Sequence, residues 1–203
     1  SQVNEAIVEE TTKRALKRRV CDELAAVESY RFVWYADADG DGLSPGYVAG
    51  DADGYLDEVA FDPSTGCDDC DPVVQAIHDP DSYPGIVEIE AGEGTWRRRA
   101  AERNVSACMT LSLEPGDRGA SVIGVYTTAR DGFSEPEQAM LADIRETLQH
   151  AVSAIETHEQ ARRYQEAVNR AGYALFITDV DGTIRYVNPA FEEITGYDAA
   201  EAI

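Results

Sequence analysis

The stretch 122-VIGVYTTARDGFSEPEQAML-141 decides the fold, because it joins a strand to a helix. Its first half is rich in β-branched and aromatic residues, which favour a strand that runs to Arg130. Ser134, with Glu137 three residues later, has the pattern of a capping box, so a helix is predicted to begin there. A strand followed closely by a long helix therefore organises this part of the chain.

A second strand is predicted immediately upstream, at 105-VSACMTLSL-113. The turn residues of 115-PGDRG-119 separate it from the strand over 121–130. Strands joined by a short turn pair antiparallel, so we expect these two to lie side by side in the centre of a sheet.

Downstream, the predicted helix carries one apolar seam. Its residues follow each other in steps of three and four, the spacing of a helix that packs along a partner: Leu141, Ile144, Leu148, Ala151 and Ile155. The seam predicts a homodimer through parallel long helices, and packing of the same residues on the chain's own sheet is the alternative. It turns polar at His158 and Arg162, and a helical linker is predicted to end at Gly172.

The first half of the chain has the pattern of a helix followed by a strand hairpin. Residues 2–28 contain no Gly or Pro and place apolar residues on one face, which predicts a long amphipathic helix. The run 30-YRFVWYADAD-39 predicts a strand, with a partner strand over 46–49. Shorter elements follow: a helix over 72–78 capped by Asp71, a strand over 85–92 and a helix over 96–103.

Charge limits the partners that this protein can have. Asp and Glu number 39 against 17 Lys and Arg, for a net charge of −22. Such a surface repels phosphate backbones and anionic lipids, so neither nucleic acid nor a membrane surface is expected as a partner. The excess of acids and the scarcity of lysine suggest the salt-loaded cytoplasm of a halophilic archaeon. No apolar run reaches the ~18 residues that span a bilayer and no signal-peptide pattern is found, so the expected location is the cytoplasm.

Three segments together resemble the GAF domain family: 96-WRRRAAERNVSACMTLSL-113, 122–141 and 148-LQHAVSAI-155. Gly124, Phe133, Ser134 and Glu137 fall where the family pattern places them, and the resemblance covers residues 2–158. The stretches 33-VWYADADGDG-42 and 53-DGYLDEV-59 look most like the GAF domains of haloarchaeal regulators of the bacterio-opsin activator type.

The resemblance implies an α+β fold, in which two long helices pack on one face of an antiparallel sheet. The irregular middle of the chain would cover the other face and hold a small ligand. Candidate lining residues are Trp34, Tyr47, Trp96 and Tyr126, although each alone is also what an ordinary core contains. The chain lacks both the motif of cyclic-nucleotide-binding GAF domains and a bilin-attachment cysteine, so the cofactor or effector is unassigned.

The tail, 172-GYALFITDVDGTIRYVNPAFEEITGYDAAEAI-203, predicts a β-hairpin with its tight turn at Asp181 and Gly182. It resembles the opening of a PAS domain and is too short for a complete one. The implied organisation is a GAF-like sensor domain over 1–158, a helical linker over 159–171 and a truncated PAS domain over 172–203.

The same tail also matches the first motif of the haloacid-dehalogenase-like phosphatases at 179-DVDGT-183. In those enzymes the first Asp is the nucleophile, the second is the general acid or base, and Mg²⁺ is required. That chemistry needs a parallel β-α unit after the motif and further residues beyond it. We therefore expect Asp179 and Asp181 to shape a turn.

Four cysteines are too few for a disulfide scaffold in a chain of this length. Cys67 and Cys70 have the spacing of a metal or redox pair, and they are the redox candidates, with an ordinary solvated loop as the alternative. Cys21 and Cys108 lie in elements predicted to be core. No metal site is predicted.

Together these patterns predict a GAF-PAS input region of a multidomain signalling protein, a sensor histidine kinase, that binds a small effector or dimerises. The alternatives are a bacterio-opsin-activator-type transcriptional regulator and, less in keeping with the sequence, a magnesium-dependent phosphatase. No catalytic residue is identified, so this part of the chain is not expected to be an enzyme, although the full-length protein would be a kinase.

Overall fold

The computed structural model describes residues 12–39, 42–58, 70–78, 85–89, 94–116 and 119–203. The strands are β1 (Tyr30–Asp39), β2 (Gly42–Gly50), β3 (Ile86–Glu88), β4 (Ala107–Gly116), β5 (Gly119–Thr127), β6 (Phe176–Thr178) and β7 (Ile184–Val187). The helices in these ranges are α1 (Lys13–Ala25), α2 (Pro72–His78), α3 (Thr95–Glu102), α4 (Glu135–Asn169), α5 (Pro189–Thr195) and α6 (Ala199–Ala202), with a 3-10 helix at Tyr55–Glu58. The part of the predicted first helix before residue 12 lies outside the described residues.

Five strands form one antiparallel sheet in the order β2-β1-β5-β4-β3. The predicted pairing of β4 with β5 is confirmed, with Met109 opposite Val125. On its other edge β5 pairs with β1, so that Trp34 lies opposite Gly124. The strand part of the stretch 122–141 therefore occupies the middle of the sheet.

One face of the sheet is covered by α1 and by the first part of α4. Alternate residues of β5, among them Ile123 and Val125, point to this face because side chains alternate along a strand. The helix-side cluster is formed by Leu16, Val20, Cys21, Leu24, Tyr30, Val33, Tyr35, Ala49, Ala107, Leu111, Leu113, Ile123, Val125, Phe133, Leu141, Ile144 and Leu148. The first three seam residues of α4 thus pack on the chain's own sheet.

The opposite face is covered by α2, α3 and the 3-10 helix. The loop-side cluster is formed by Phe32, Trp34, Ala36, Ala52, Tyr55, Val73, Val74, Ala76, Ile89, Trp96, Ala100, Val105, Cys108, Val122 and Tyr126. The two clusters lie back to back on one sheet, which confirms the predicted α+β fold with two long helices on one face.

The helix α4 begins where predicted, with one half of the capping box formed. The backbone N–H of Ser134 donates to Glu137 Oε2 at 3.0 Å, and the Ser134 hydroxyl donates to the same oxygen at 2.6 Å. The helix then continues without interruption to Asn169, so most of the predicted linker is helical. None of the described helices combines the length and the hydropathy that crossing a bilayer requires.

The chain divides into two compact units, Ser1–Ile155 and Glu156–Ile203. In the second unit β6 and β7 form the predicted antiparallel hairpin. Buried Asn188 supports it: its side-chain oxygen accepts from the N–H of Leu175 at 2.8 Å and from that of Phe191 at 3.0 Å, which also caps α5. Gly196, with a φ of 80°, ends α5 in the left-handed conformation that glycine adopts readily.

Candidate functional site

Three of the four candidate ligand residues come together on one face of the sheet. Trp34, Trp96 and Tyr126 are all buried in the loop-side cluster. Tyr47 lies opposite Tyr35 and packs against the helix-side cluster instead. Its hydroxyl donates to Asp22 Oδ1 at 2.7 Å. Tyr47 therefore belongs to the other face and cannot share a site with the other three.

A network of buried polar groups links these aromatic residues to Asp71. The indole N–H of Trp34 donates to the Tyr126 hydroxyl at 3.2 Å. The hydroxyls of Tyr126 and Tyr55 both donate to Asp71 Oδ2 at 2.6 Å. The other oxygen, Oδ1, accepts from the backbone N–H of Val73 at 2.8 Å, so Asp71 caps α2 as predicted. The same carboxyl thus holds α2, the 3-10 helix and the sheet together.

Sequence patterns did not reveal this network. Its members come from β1, β5, the 3-10 helix and the residue before α2, which are far apart in the chain. Asp71 gave a capping signal, but its second oxygen is used by tyrosines that hydropathy marks only as core residues. Only the tertiary fold brings them together.

Burial controls the ionisation of the network. Burial raises the pKa of Asp71 above its ordinary value, although the hydrogen bonds from Tyr126, Tyr55 and Val73 act in the opposite direction. Burial, followed by the Asp71 charge, also raises the pKa of Tyr126 and that of Cys108. Because both pKa values lie well above the ordinary ones, Tyr126 and Cys108 stay protonated and uncharged at neutral pH.

The loop-side cluster is closely packed where α2 meets β5. Phe32 stacks on Tyr126 with ring centroids 4.3 Å apart. A methyl group placed on Gly124 would lie 2.4 Å from Val73 Cγ2. Because that distance is far below a normal contact, the glycine is what lets α2 approach the sheet. Any ligand that enters between α2 and β5 has to displace this helix.

Trp96 differs from Trp34 in one respect. Its side chain is only 4% exposed, yet its indole N–H has no hydrogen-bond acceptor among the described residues. The guanidinium of Arg97 lies over its ring, 4.5 Å from the centroid. Trp96 therefore presents an unused donor at the border of the loop-side cluster.

The cysteines fall into two groups. Cys21 and Cys108 are free and buried, as predicted for core positions. Cys70 is disulfide-bonded and packs against the loop-side cluster, directly before Asp71. Cys67 lies outside the described residues. Within the described ranges no group of His, Cys, Asp and Glu is arranged to hold a metal ion.

Asp179 and Asp181 shape a turn, as predicted. Asp179 Oδ1 accepts from the backbone N–H groups of Asp181 and Thr183, both at 3.0 Å. Its Oδ2 lies 2.8 Å from an Arg185 nitrogen. The N–H of Thr183, together with Arg185, lowers the pKa of Asp179. Because β6 and β7 are antiparallel, the parallel β-α unit of the phosphatases is not formed here.

Comparison with known proteins gives a family match for the end of the chain and solved structures with a similar fold. The sequence model of the PAS domain family matches residues 162–203. No curated protein matches the chain. The fold is similar to that of fRMsr, a free methionine-R-sulfoxide reductase, from Staphylococcus aureus, whose structure was solved in complex with substrate. The two chains are 13% identical with a TM-score of 0.55, over 74% of this chain and 91% of that chain.

Two further solved structures share the fold. The free methionine-R-sulfoxide reductase of Neisseria meningitidis, in complex with its substrate, is 17% identical with a TM-score of 0.55, over 79% of this chain and 87% of that chain. The GAF domain of an Acinetobacter phosphoenolpyruvate-protein phosphotransferase is 13% identical with a TM-score of 0.51, over 79% and 91%. At these identities the likeness establishes the GAF-like fold.

The expectation that this part of the chain is not an enzyme is contradicted. It rested on the GAF resemblance and on the lack of a recognisable catalytic motif. The same fold is found in free methionine-R-sulfoxide reductases, which are enzymes. A GAF-like fold is therefore no argument against catalysis.

Proposed function

We propose that this chain is the sensory input region of a signal-transduction protein, in which the GAF-like unit binds a small effector on its loop-side cluster. The observation that carries the proposal is the two-sided role of β5. Tyr126 faces the loop-side cluster, whereas Ile123 and Val125 contact the helix-side cluster that contains the start of α4. One strand thus touches both the proposed binding face and the helix that leaves the unit.

A ligand can change α4 only if it prefers one of two arrangements of the unit. Insertion beside Trp34 and Tyr126 would displace α2, because Val73 fills the space over Gly124. A shift of β5 would then alter the packing of Leu141, Ile144 and Leu148. Since α4 is one continuous helix to Asn169, we propose that such a change at its first part is passed along the helix.

Native mass spectrometry of protein purified from its native host, compared with the denatured mass, tests effector binding. A bound small molecule that is lost on denaturation is the expected result. Trp34→Phe should reduce its occupancy, whereas Tyr35→Phe should not, because Tyr35 follows Trp34 on β1 but faces the helices. Equal occupancy in the two variants would place the ligand elsewhere, and bare polypeptide in every preparation would contradict effector binding.

We further propose that the chain forms a homodimer through its long helices. Leu141, Ile144 and Leu148 are used within the unit, so the interface would lie on other positions of α4, where Met140 and Tyr164 are exposed. Tyr164→Ala should weaken the dimer, and Tyr173→Ala, which removes an equally exposed tyrosine outside α4, should not. Light scattering at working salt is the measurement, and a wild-type monomer would contradict the proposal.

For the output we propose a cytoplasmic sensor histidine kinase of a halophilic archaeon, with the matched PAS segment as the start of the next domain. The acidic composition supports the source, and the match over 162–203 supports the domain order. Incubation of the full-length protein with labelled ATP should yield an acid-labile phosphohistidine. A full-length protein that binds DNA and takes up no phosphate would be a bacterio-opsin-activator-type regulator instead.

A second candidate function is the reduction of free methionine-R-sulfoxide. The observation in its favour is the disulfide-bonded Cys70 at the border of the loop-side cluster, in a fold shared with reductases of that substrate. Two thiols would give two electrons and two protons, the sulfoxide oxygen would leave as water, and a thioether and a disulfide would result. Dithiothreitol would then regenerate the thiols.

This second function is tested by measuring methionine formed from the sulfoxide in the presence of dithiothreitol. Cys70→Ser should abolish the activity, whereas Cys21→Ser, in the helix-side cluster, should retain it. Methionine formation that is equal in wild type and Cys70→Ser would exclude a role for this disulfide.

A further inference from the structure

The two tryptophans of the chain provide an internal comparison. Trp34 donates its indole N–H to Tyr126, whereas the N–H of Trp96 has no acceptor among the described residues. Both side chains are buried. A buried donor without an acceptor is costly, and native structures contain few of them. The Trp96 N–H can therefore donate to a hydrogen-bond acceptor that the described residues do not supply.

Arg97 adds a positive charge to the same place. Its guanidinium lies over the Trp96 ring, with Cζ 4.5 Å from the centroid, and makes no ion pair with any described residue. In a chain with a net charge of −22, Arg97 thus has no carboxylate partner within the part of the chain that the structure describes, and it lies beside a buried indole. A cation over the face of an indole is attracted by the ring, and the guanidinium keeps N–H groups that can still donate to an anion.

The helix that carries both residues favours negative charge at this end. Trp96 and Arg97 lie in the first turn of α3, which has buried Gly94 as its N-cap and no side-chain cap. The first N–H groups of a helix lack intrahelical acceptors and carry a partial positive charge. Three kinds of donor, indole, guanidinium and backbone amide, are therefore collected in one turn.

Asp71 offers no competing position for a negatively charged ligand. Its oxygens already accept from Tyr55, Tyr126 and Val73. Asp71 therefore has no unused oxygen shown for a ligand, and the donors available to a negatively charged group are those of the first turn of α3.

We propose that the first turn of α3 binds the oxyanion group of a small ligand, a carboxylate or a phosphate, through Trp96 Nε1 and the Arg97 guanidinium. This inference rests on the proposed function, because it names the chemical class of the effector that the loop-side cluster would take. The remainder of the ligand would contact the apolar part of that cluster.

Nitrogen-15 NMR of the indole groups tests the site directly. The labelled protein has two indole N–H signals, which Trp96→Phe assigns. Sodium acetate and sodium phosphate are titrated separately at constant ionic strength, balanced with sodium chloride. The Trp96 signal should move in a saturable manner with at least one of the two probes, and the Trp34 signal should change little. No shift of the Trp96 signal with either probe overturns the proposal.

Matched arginine variants separate this site from general charge effects. Arg97→Gln should weaken binding of the responding probe by roughly tenfold or more, the usual loss for a hydrogen bond to a charged group. Arg98→Gln removes the same charge from the next, exposed residue and should leave the affinity within about twofold. Equal weakening in both variants overturns the proposal.

The outcome for the effector itself is read separately. Native mass spectrometry of the host-purified protein can reveal a neutral ligand while neither probe moves the Trp96 signal, in which case the oxyanion site fails and the effector-binding proposal stands. A saturable Trp96 shift with bare polypeptide from the host supports the oxyanion site, whereas the effector-binding proposal then fails.

Discussion

At the scale of single residues, Tyr126 is the connecting member of the buried network. It accepts from Trp34 and donates to Asp71, so Tyr126→Phe removes the hydrogen bond that the Trp34 indole makes to it and one donor to the carboxyl. We expect a loss of about 1–3 kcal/mol in the free energy of unfolding, measured by urea denaturation. Tyr47→Phe removes a hydrogen bond near the surface and should cost about 0.5 kcal/mol or less. Similar losses in the two variants would contradict the importance of the network.

The raised pKa of Asp71 predicts how the stability of the protein depends on pH. Burial raises its pKa in the folded state, so the folded protein holds this proton more tightly than the unfolded chain. The contribution of Asp71 to the free energy of unfolding is therefore greatest at low pH. It falls as the pH rises from the ordinary pKa of a carboxyl group through the raised pKa of the folded state. Asp71→Asn has no such titration, so the stability of the variant relative to wild type should rise over the same range and then level off. A difference that stays constant across the acidic range would show that the carboxyl is not perturbed.

Residue identity alone did not distinguish aromatic residues on the loop-side face of the sheet from those on the helix-side face. The GAF resemblance implies a ligand site with Trp34, Tyr47, Trp96 and Tyr126 as candidate lining residues, and three of the four share the loop-side cluster. Tyr47 falls on the other face because its position in β2 places it opposite Tyr35. Alternate residues of a strand face opposite sides of the sheet. Which residues of β2 face the helices is therefore known only when the register between β2 and β1 is known.

At the scale of elements, the contact between α2 and β5 depends on Gly124. Gly124→Ala places a methyl group 2.4 Å from Val73 Cγ2 and 2.9 Å from the Tyr126 ring. We expect a loss of about 1–3 kcal/mol in the free energy of unfolding, as for overpacking in other cores. Adding Val73→Ala removes the closer of the two obstacles, so the double variant should lose less than the sum of the single ones. Additive losses would show that α2 does not press on β5 at this point.

The seam of α4 also makes an element-scale prediction. Leu148 is completely buried in the helix-side cluster, so Leu148→Ala should cost about 2–5 kcal/mol in urea denaturation. Glu146 lies on the same helix and is exposed, and Glu146→Ala should cost about 0.5 kcal/mol or less. If Leu148→Ala instead leaves stability unchanged but dissociates a dimer, the seam faces a partner chain.

Elements with strong local signals were predicted well. The helix over 72–78, the start of α4 after Ser134 and the hairpin turn at Asp181 and Gly182 occur as predicted, because each is determined by a few neighbouring residues. The strand predicted over 46–49 begins earlier, at Gly42, because pairing with β1 extends it. What a helical seam packs against cannot be read from its spacing, since a sheet and a second helix both favour the same pattern.

At the scale of the whole molecule, the charge acts on stability more than on fold. The core was predictable from apolar patterns. The net charge of −22, in contrast, does not determine which segments form helices or strands. A few cations are placed where they reduce repulsion: buried Lys17, one of only two lysines, contacts Asp37 at 2.5 Å and joins α1 to β1. Most of the acids have no such partner in the sequence, because they outnumber the bases more than two to one.

Self-repulsion of this size predicts a strong dependence on salt. The range of a charge falls from about 30 Å at 0.01 M salt to about 3 Å at 1 M, so sodium chloride should relieve repulsion that favours the unfolded chain. We expect the midpoint of urea denaturation to rise steadily over this range. Sucrose also favours the compact state but does not screen charge, so at equal osmolality it should give the smaller effect. A protein that keeps its full fold and the same midpoint in dilute buffer would not need a salt-loaded cytoplasm, and its acidic surface would then have to be explained by something other than adaptation to salt.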